Sequence, residues 1–132
     1  MLLGRVQTMI GRLHTIALDC PDPGALADFY AELLGLPVTK REEHWVVVGE
    51  EWPRLAFQHA PDHKAPAWPD PERPQQAHLD VWVEDIEAAE ERVLALGARR
   101  LAVAEDDPRD LFRVYADPAG HPFCLEYAAE GV

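Results

Sequence analysis

Two histidines, His14 and His78, stand at the head of two similar stretches of this chain. HTIALDCPDPGALADFYAELLG and HLDVWVEDIEAAEERVLALG both read as strand, turn, helix and glycine stop. Gly35 follows its histidine by 21 residues and Gly97 follows its own by 19, a difference assigned to the longer Pro-x-Pro turn of the first copy. Related modules can aim such imidazoles at one shared centre, which makes the pair a candidate site.

Strand parity extends the set, because alternate residues of a strand face opposite sides. In HLDVWV, Leu79, Val81 and Val83 suit a helix-covered face, leaving His78, Asp80 and Trp82 on the other. A mixed polar and aromatic face in a largely buried strand points to a pocket for a small molecule. In PFCLEY, Cys124 and Glu126 fall on that side; in RLAFQH, Ala56 and Gln58 do. His14 is read as sharing the inward face of its strand with Ile16. Gln58 follows His14 by 44 residues and Cys124 follows His78 by 46, so His14, Gln58, His78 and Cys124 are expected to converge.

These residues need strands beneath them. Leu13 to Asp19 reads as a buried strand, followed by a helix from about Pro23 with Leu26, Phe29, Tyr30, Leu33 and Leu34 as its stripe. Pro37–Glu42, Trp45–Gly49 and Arg54–His59 read as three further strands. The second copy repeats this order: strand Ala77–Val83, helix Asp85–Leu96, then strands Arg99–Ala104, Leu111–Ala116 and Pro122–Ala128. Between the copies, residues 60–76 hold five of the twelve prolines and read as a linker, with Trp68 as a lid or seal. The expectation is one α+β domain over 1–132: module one about 12–59, the linker, and module two about 77–128. Two βαβββ modules would form a curved mixed sheet, a cup, with the helices outside it. Glu87, Glu90 and Glu91 read as a solvated helix face. His59 and His63 straddle Pro61 and do not read as a metal pair.

Composition narrows the partners. A net charge of −12 with no cluster of Lys and Arg argues against nucleic acid and anionic membranes. No apolar run is long enough to span a bilayer, and the first twelve residues are too short a run for a signal peptide, whether the native start is Met1 or Met9. Two cysteines make no disulfide framework, so the cytoplasm is the default compartment.

LHTIAL, the FYAELLG helix end, AHLDVWVED and the closing YADPAGHPFCLEY together resemble the vicinal oxygen chelate superfamily of glyoxalases, bleomycin-resistance proteins and extradiol dioxygenases. The likeness runs from Leu13 to Tyr127. It implies the glyoxalase/bleomycin-resistance fold, a homodimer, and metal ligands on the first and fourth strands of each module. That carry-over lands on His14, Gln58, His78 and Cys124, with His14 and His78 as the matched metal ligands. The final-strand position is usually a glutamate and is Cys124 here; Gln58 replaces a frequent carboxylate. Zinc, a divalent metal that takes His and Cys thiolate well, fits better than a ferrous centre, which wants a carboxylate. Catalysis would then fall to Glu126 or Asp80, with Gln58, Trp82 and Cys124 binding the ligand. The resemblance implies either a glyoxalase-like lyase or isomerase acting on a small oxygenated metabolite, or a bleomycin-resistance-like protein that sequesters a drug or metabolite.

Overall fold

A computed structural model describes residues 9–129, so the question of the native start falls largely outside the described residues. Module one comprises β1 (Thr15–Cys20), α1 (Pro23–Leu34), β2 (Val38–Arg41), β3 (Trp45–Val48) and β4 (Arg54–His59). Module two comprises β5 (Leu79–Trp82), α2 (Ile86–Ala95), β6 (Arg99–Ala104), β7 (Leu111–Ala116) and β8 (Pro122–Tyr127). Each module is a four-stranded mixed sheet, ordered β1-β4-β3-β2 and β5-β8-β7-β6. The first strand of each pairs parallel with the last, and the other pairings are antiparallel. A register shift recurs in the second strand of each module, between Val38 and Lys40 and between Arg100 and Ala102. The fold is α+β with two βαβββ modules, as the sequence implies.

Local chemistry sets the helix ends. Asp22 and Asp85 cap α1 and α2, each side chain accepting a hydrogen bond from the backbone N–H three residues on. Gly35 stops α1 in the left-handed region at φ 64°, where a side chain would be strained. At Gly120, with φ 91°, a Cβ would lie 2.5 Å from the Ala65 Cβ. The Asp-Pro-Ala-Gly turn therefore needs glycine both for its backbone angle and for the linker pressed against it.

The core joins the modules. Phe29 and Tyr30 of α1 meet Phe57 of their own sheet and Phe123 of the other; Tyr30 stacks on Phe57 at 5.4 Å and Phe29 meets Phe123 edge-on at 5.7 Å. The Tyr30 hydroxyl donates to the Asp117 carboxylate at 2.7 Å, both groups being buried. Burial pushes the Asp117 carboxyl up, opposed by the Tyr30 hydroxyl and by the His121 ring and the backbone N–H groups of His121 and Ala119. Tyr30→Phe removes a buried donor from a carboxylate, and urea unfolding is expected to show a loss of about 1–3 kcal/mol. A change below a few tenths would mean that water replaces the hydroxyl.

The expected solvated face of α2 holds for Glu87 and Glu91, which are exposed, and needs correcting at Glu90. Arg113 of β7 is turned under the helix, with Nη2 2.6 Å from Glu87, Nη1 3.2 Å from Glu90 and Nε 2.8 Å from Glu105. Glu90 is largely buried there and also accepts from the Tyr115 hydroxyl at 2.9 Å. A buried guanidinium requires carboxylates, and α2 supplies two of them.

Candidate functional site

Module two presents its chemistry on the face away from α2. Leu79, Val81 and Leu125 pack into the core, so alternation turns His78, Asp80, Cys124 and Glu126 outward, together with Phe112 and Val114 of β7. The parallel register sets Asp80 opposite Cys124 and Trp82 opposite Glu126. A cavity of about 280 Å³ lies over this face, lined by His78, Asp80, Asp110, Phe112, Cys124 and Glu126. Trp68 and Gln75 of the linker complete its wall. A neighbouring cavity of about 370 Å³ shares Asp110 and Glu126 and contains Trp82, which is more than half exposed and donates to Glu84 at 3.2 Å. Asp110 and Phe112 escaped the sequence reading. The alternation of LFRVYA, with Arg113 and Tyr115 under the helix, was the signal that could have found Phe112.

Three ligating atoms converge in the first cavity. His78 Nε2 lies 3.2 Å from Asp80 Oδ1, and one atom each from His78, Asp80 and Cys124 all lie within 4.8 Å of one another. Among the described residues this is the one such group of three His, Cys, Asp or Glu side chains. Burial, then the Asp80 carboxylate beside it, pushes the Cys124 thiol up to about 12. Glu126 is raised by burial and by the same carboxylate.

His14 is elsewhere. Arg54 Nη2 donates to His14 Nε2 at 2.8 Å, which leaves the imidazole proton on Nδ1, 2.7 Å from Thr15 Oγ1. The Trp52 ring meets His14 edge-on at 4.3 Å, and the Arg12 guanidinium lies 4.5 Å above that indole. Both imidazole nitrogens are therefore engaged, beside a fixed positive charge. Gln58, opposite Asp19, is exposed and lines neither cavity on the face of module two.

The expected four-way convergence is corrected by counting from the helix caps. Seven residues before Asp85 stands His78, but seven before Asp22 stands Thr15. Leu18 and Cys20 pack toward α1, so His14 and Ile16 share the parity of the helix side. In the ladders, Asp80–Cys124 matches Ala17–Ala56, and Trp82–Glu126 matches Asp19–Gln58. The module-one counterparts of His78, Asp80 and Cys124 are thus Thr15, Ala17 and Ala56, none of them matching the ligating side chains of module two. The two-residue difference between the copies does not lie in the turn. One residue comes from the strand and one from the longer α1.

Residues 15–126 match the Glyoxalase-like domain. The chain belongs to the glyoxalase-like domain family. Solved structures agree in fold. A glyoxalase/bleomycin resistance protein/dioxygenase family enzyme from Burkholderia phytofirmans PsJN aligns with a TM-score of 0.70 at 16% identity, over 90% of this chain and 100% of that one. A glyoxalase-related enzyme from Fulvimarina pelagi gives 0.67 at 22%, covering 89% and 88%. A lactoylglutathione lyase from Agrobacterium tumefaciens gives 0.60 at 20%, covering 86% and 91%. No protein of curated function matches this sequence. No helix among the described residues of this glyoxalase-like chain is long and apolar enough to cross a membrane.

The donor set of this glyoxalase-like domain suits a divalent metal. An imidazole, a carboxylate and a thiol are three protein ligands, and three leave a coordination position open to the cavity. His78, Asp80 and Cys124 would hold such an ion, and without it the 3.2 Å contact is an ordinary pairing of His78 with the Asp80 carboxylate. His14 and Gln58 do not join the set.

Proposed function

We propose that this chain is a glyoxalase-like lyase or isomerase that takes a small oxygenated metabolite into the module-two cup. The observation that carries this reading is the convergence of His78, Asp80 and Cys124 beside Glu126 in one cavity. His78, Asp80 and Cys124 would hold a divalent metal such as zinc, which supplies Lewis acidity toward a carbonyl or hydroxyl oxygen. Two further carboxylates, Asp110 and Glu126, line the cavity, and Glu126, next but one to Cys124 on β8, takes the role of proton carrier beside the substrate oxygen. Asp80 serves as a ligand in this reading and leaves proton transfer to Glu126. Phe112 and Val114 give the carbon skeleton an apolar floor, and Trp68 restricts water from the linker side.

The test is exchange of the proton next to the carbonyl of small 2-hydroxy and 2-oxo compounds in deuterated water, followed by proton NMR. Glu126→Gln is expected to slow the exchange by about 10²–10⁴-fold while the fold is unchanged. Equal rates in both proteins would remove Glu126 from the chemistry.

A second reading is sequestration of a cationic aromatic compound. Asp110 and Glu126 at the junction of the two cavities, with Trp68, Phe112 and Trp82 nearby, favour it. A sequestering protein loses affinity for a cationic guest in Glu126→Gln and shows no exchange in either protein. We propose a homodimer, since β1 and β5 each end a sheet with one edge free of strand pairing among the described residues, and place it in the cytoplasm on the cysteine content alone. Sedimentation equilibrium at tens of micromolar is expected to give twice the chain mass of 14.8 kDa.

A further inference from the structure

We propose that the open edge of β1 and the linker facing it form a second binding site, apart from the cup, for a short zwitterionic peptide in extended form. The site is independent of the module-two chemistry, because its cavity of about 490 Å³ shares no lining residue with the cup.

The backbone of β1 sets the recognition. His14 O accepts from the Arg54 N–H and Cys20 O from the Ala60 N–H, so the even-numbered residues of β1 bond to β4 in the parallel ladder. Thr15, Ala17 and Asp19 therefore turn their N–H and C=O groups to the open edge. There His121 Nε2 donates to the Asp19 carbonyl at 2.6 Å. The N–H and C=O of Ala17 and the N–H of Asp19 have no protein partner among the described residues. Four consecutive residues, Ile16 to Asp19, line the cavity, which is how a strand met edge-on presents itself. Both groups of Ala17 can pair with both groups of one residue on an added strand.

The opposite wall restricts the occupant to a single strand. Linker residues 63–66, 72–74, 76 and 77 form it, and Pro66 and Pro74 have no N–H with which to pair with β1. The wall is anchored, since His63 Nε2 donates to the Ala119 carbonyl at 3.0 Å and Ala65 sits against Gly120. A second copy of the chain brings a whole sheet behind its edge and meets this wall before it reaches β1. That leaves the β5 edge for contacts between copies.

Charge selects the ends of the peptide. Lys64 and Arg73 line the cavity and form no ion pair among the described residues, unlike Lys40, Arg41, Arg100, Arg109 and Arg113. Asp19 and Glu72 line it as well and are equally unpaired. Two free cations and two free carboxylates around Ile16, Ala65 and Ala77 match a zwitterion with small apolar side chains. Its carboxylate goes to Lys64 and Arg73, and its ammonium to Asp19 and Glu72.

The test is titration of the full, isotope-labelled chain with the unblocked tripeptide Ala-Val-Ala, followed by NMR and amide hydrogen exchange. The Ala17 amide is expected to shift and to exchange at least about tenfold more slowly, as a newly paired strand amide does. The amides of Ile16 and Leu18, already bonded to β4, should change little, and those of His78, Asp80 and Cys124 not at all. Methylating the valine nitrogen removes the donor that the Ala17 carbonyl needs, and is expected to weaken binding about fivefold. Amidating the C-terminus is expected to weaken it about tenfold in the parent chain and little in the exposed double variant Lys64→Ala with Arg73→Ala.

Equal affinity for the N-methylated peptide overturns the strand pairing and the proposal with it. Shifts confined to the cup, or none at millimolar peptide, overturn the site. An Ala17 amide protected without peptide, and more so at higher protein concentration, shows that a second copy covers the edge and overturns it equally.

Discussion

Replacing Arg113 by alanine is expected to destabilise this chain by about 3 kcal/mol, because it strips a nearly buried cation from three carboxylates at once. Glu87 is mostly exposed and recovers its hydration. Glu90 is only about 15% exposed and does not; it keeps the Tyr115 hydroxyl and Arg100, 3.3 Å away, but loses the buried guanidinium beneath it. Glu105 keeps the Tyr127 hydroxyl. The loss is therefore dominated by Glu90, and Arg113→Ala with Glu90→Gln is expected to recover part of it. Urea unfolding of the two variants measures both quantities. A loss under 1 kcal/mol for Arg113→Ala would show that water already screens the cluster.

The same cluster gives stability a pH dependence with a definite sign. Burial works to raise Glu90, but the Tyr115 hydroxyl and the charges of Arg113 and Arg100 outweigh it and hold the carboxyl below its ordinary value. Glu105 is held down by the Tyr127 hydroxyl and by Arg113. A group with a depressed folded value binds protons more readily when unfolded. Its contribution is thus complete above the unfolded glutamate value of about 4.3 and is lost as pH falls through the folded one. The melting temperature should fall between about pH 5 and pH 3, and fall less steeply in Arg113→Ala. Parallel curves for the two proteins would place the acid sensitivity elsewhere.

Much of this architecture was legible because it is written in local pattern. Asp22 and Asp85 cap, Gly35 stops, and the apolar alternation of PFCLEY and HLDVWV fixes which residues look away from α2. Cys124, Glu126, His78 and Asp80 follow from that alternation, and Trp68 follows from the linker. The first strand defeated the same logic. LHTIAL has apolar residues at both parities, so nothing in it marks which parity faces the helix, and His14 looked equivalent to His78 because each heads a strand-turn-helix stretch and the offsets to Gln58 and Cys124 differ by the same two residues as those to the glycines. Counting from the caps, which are fixed by backbone geometry, assigns Thr15 instead. Glu90 departs from the solvated face for a different reason: its partner, Arg113, lies on β7 and reaches α2 only through the β6-β7 turn. Helix periodicity sees the helix and not the charge that the sheet brings beneath it.

Phe123→Ala is expected to cost about 3–5 kcal/mol, and its site connects the core to the cup. The ring is fully buried and meets Phe29 at 5.7 Å, Tyr30 at 6.3 Å and Tyr115 at 5.5 Å. It therefore joins α1 of one module to the sheet of the other, and no single neighbour can fill the space it leaves. Phe123 is also the residue before Cys124 on β8, on the opposite face of the strand. A cavity on the core side frees β8 to shift, and with it the sulfur that faces Asp80. Phe57→Ala makes an equally buried hole in module one, against Tyr30, without touching β5 or β8. Both variants should unfold at lower urea concentration by similar margins, while under folding conditions only Phe123→Ala should weaken zinc binding. Equal zinc binding in the two would show that the β5–β8 ladder holds His78, Asp80 and Cys124 in place without support from the shared core.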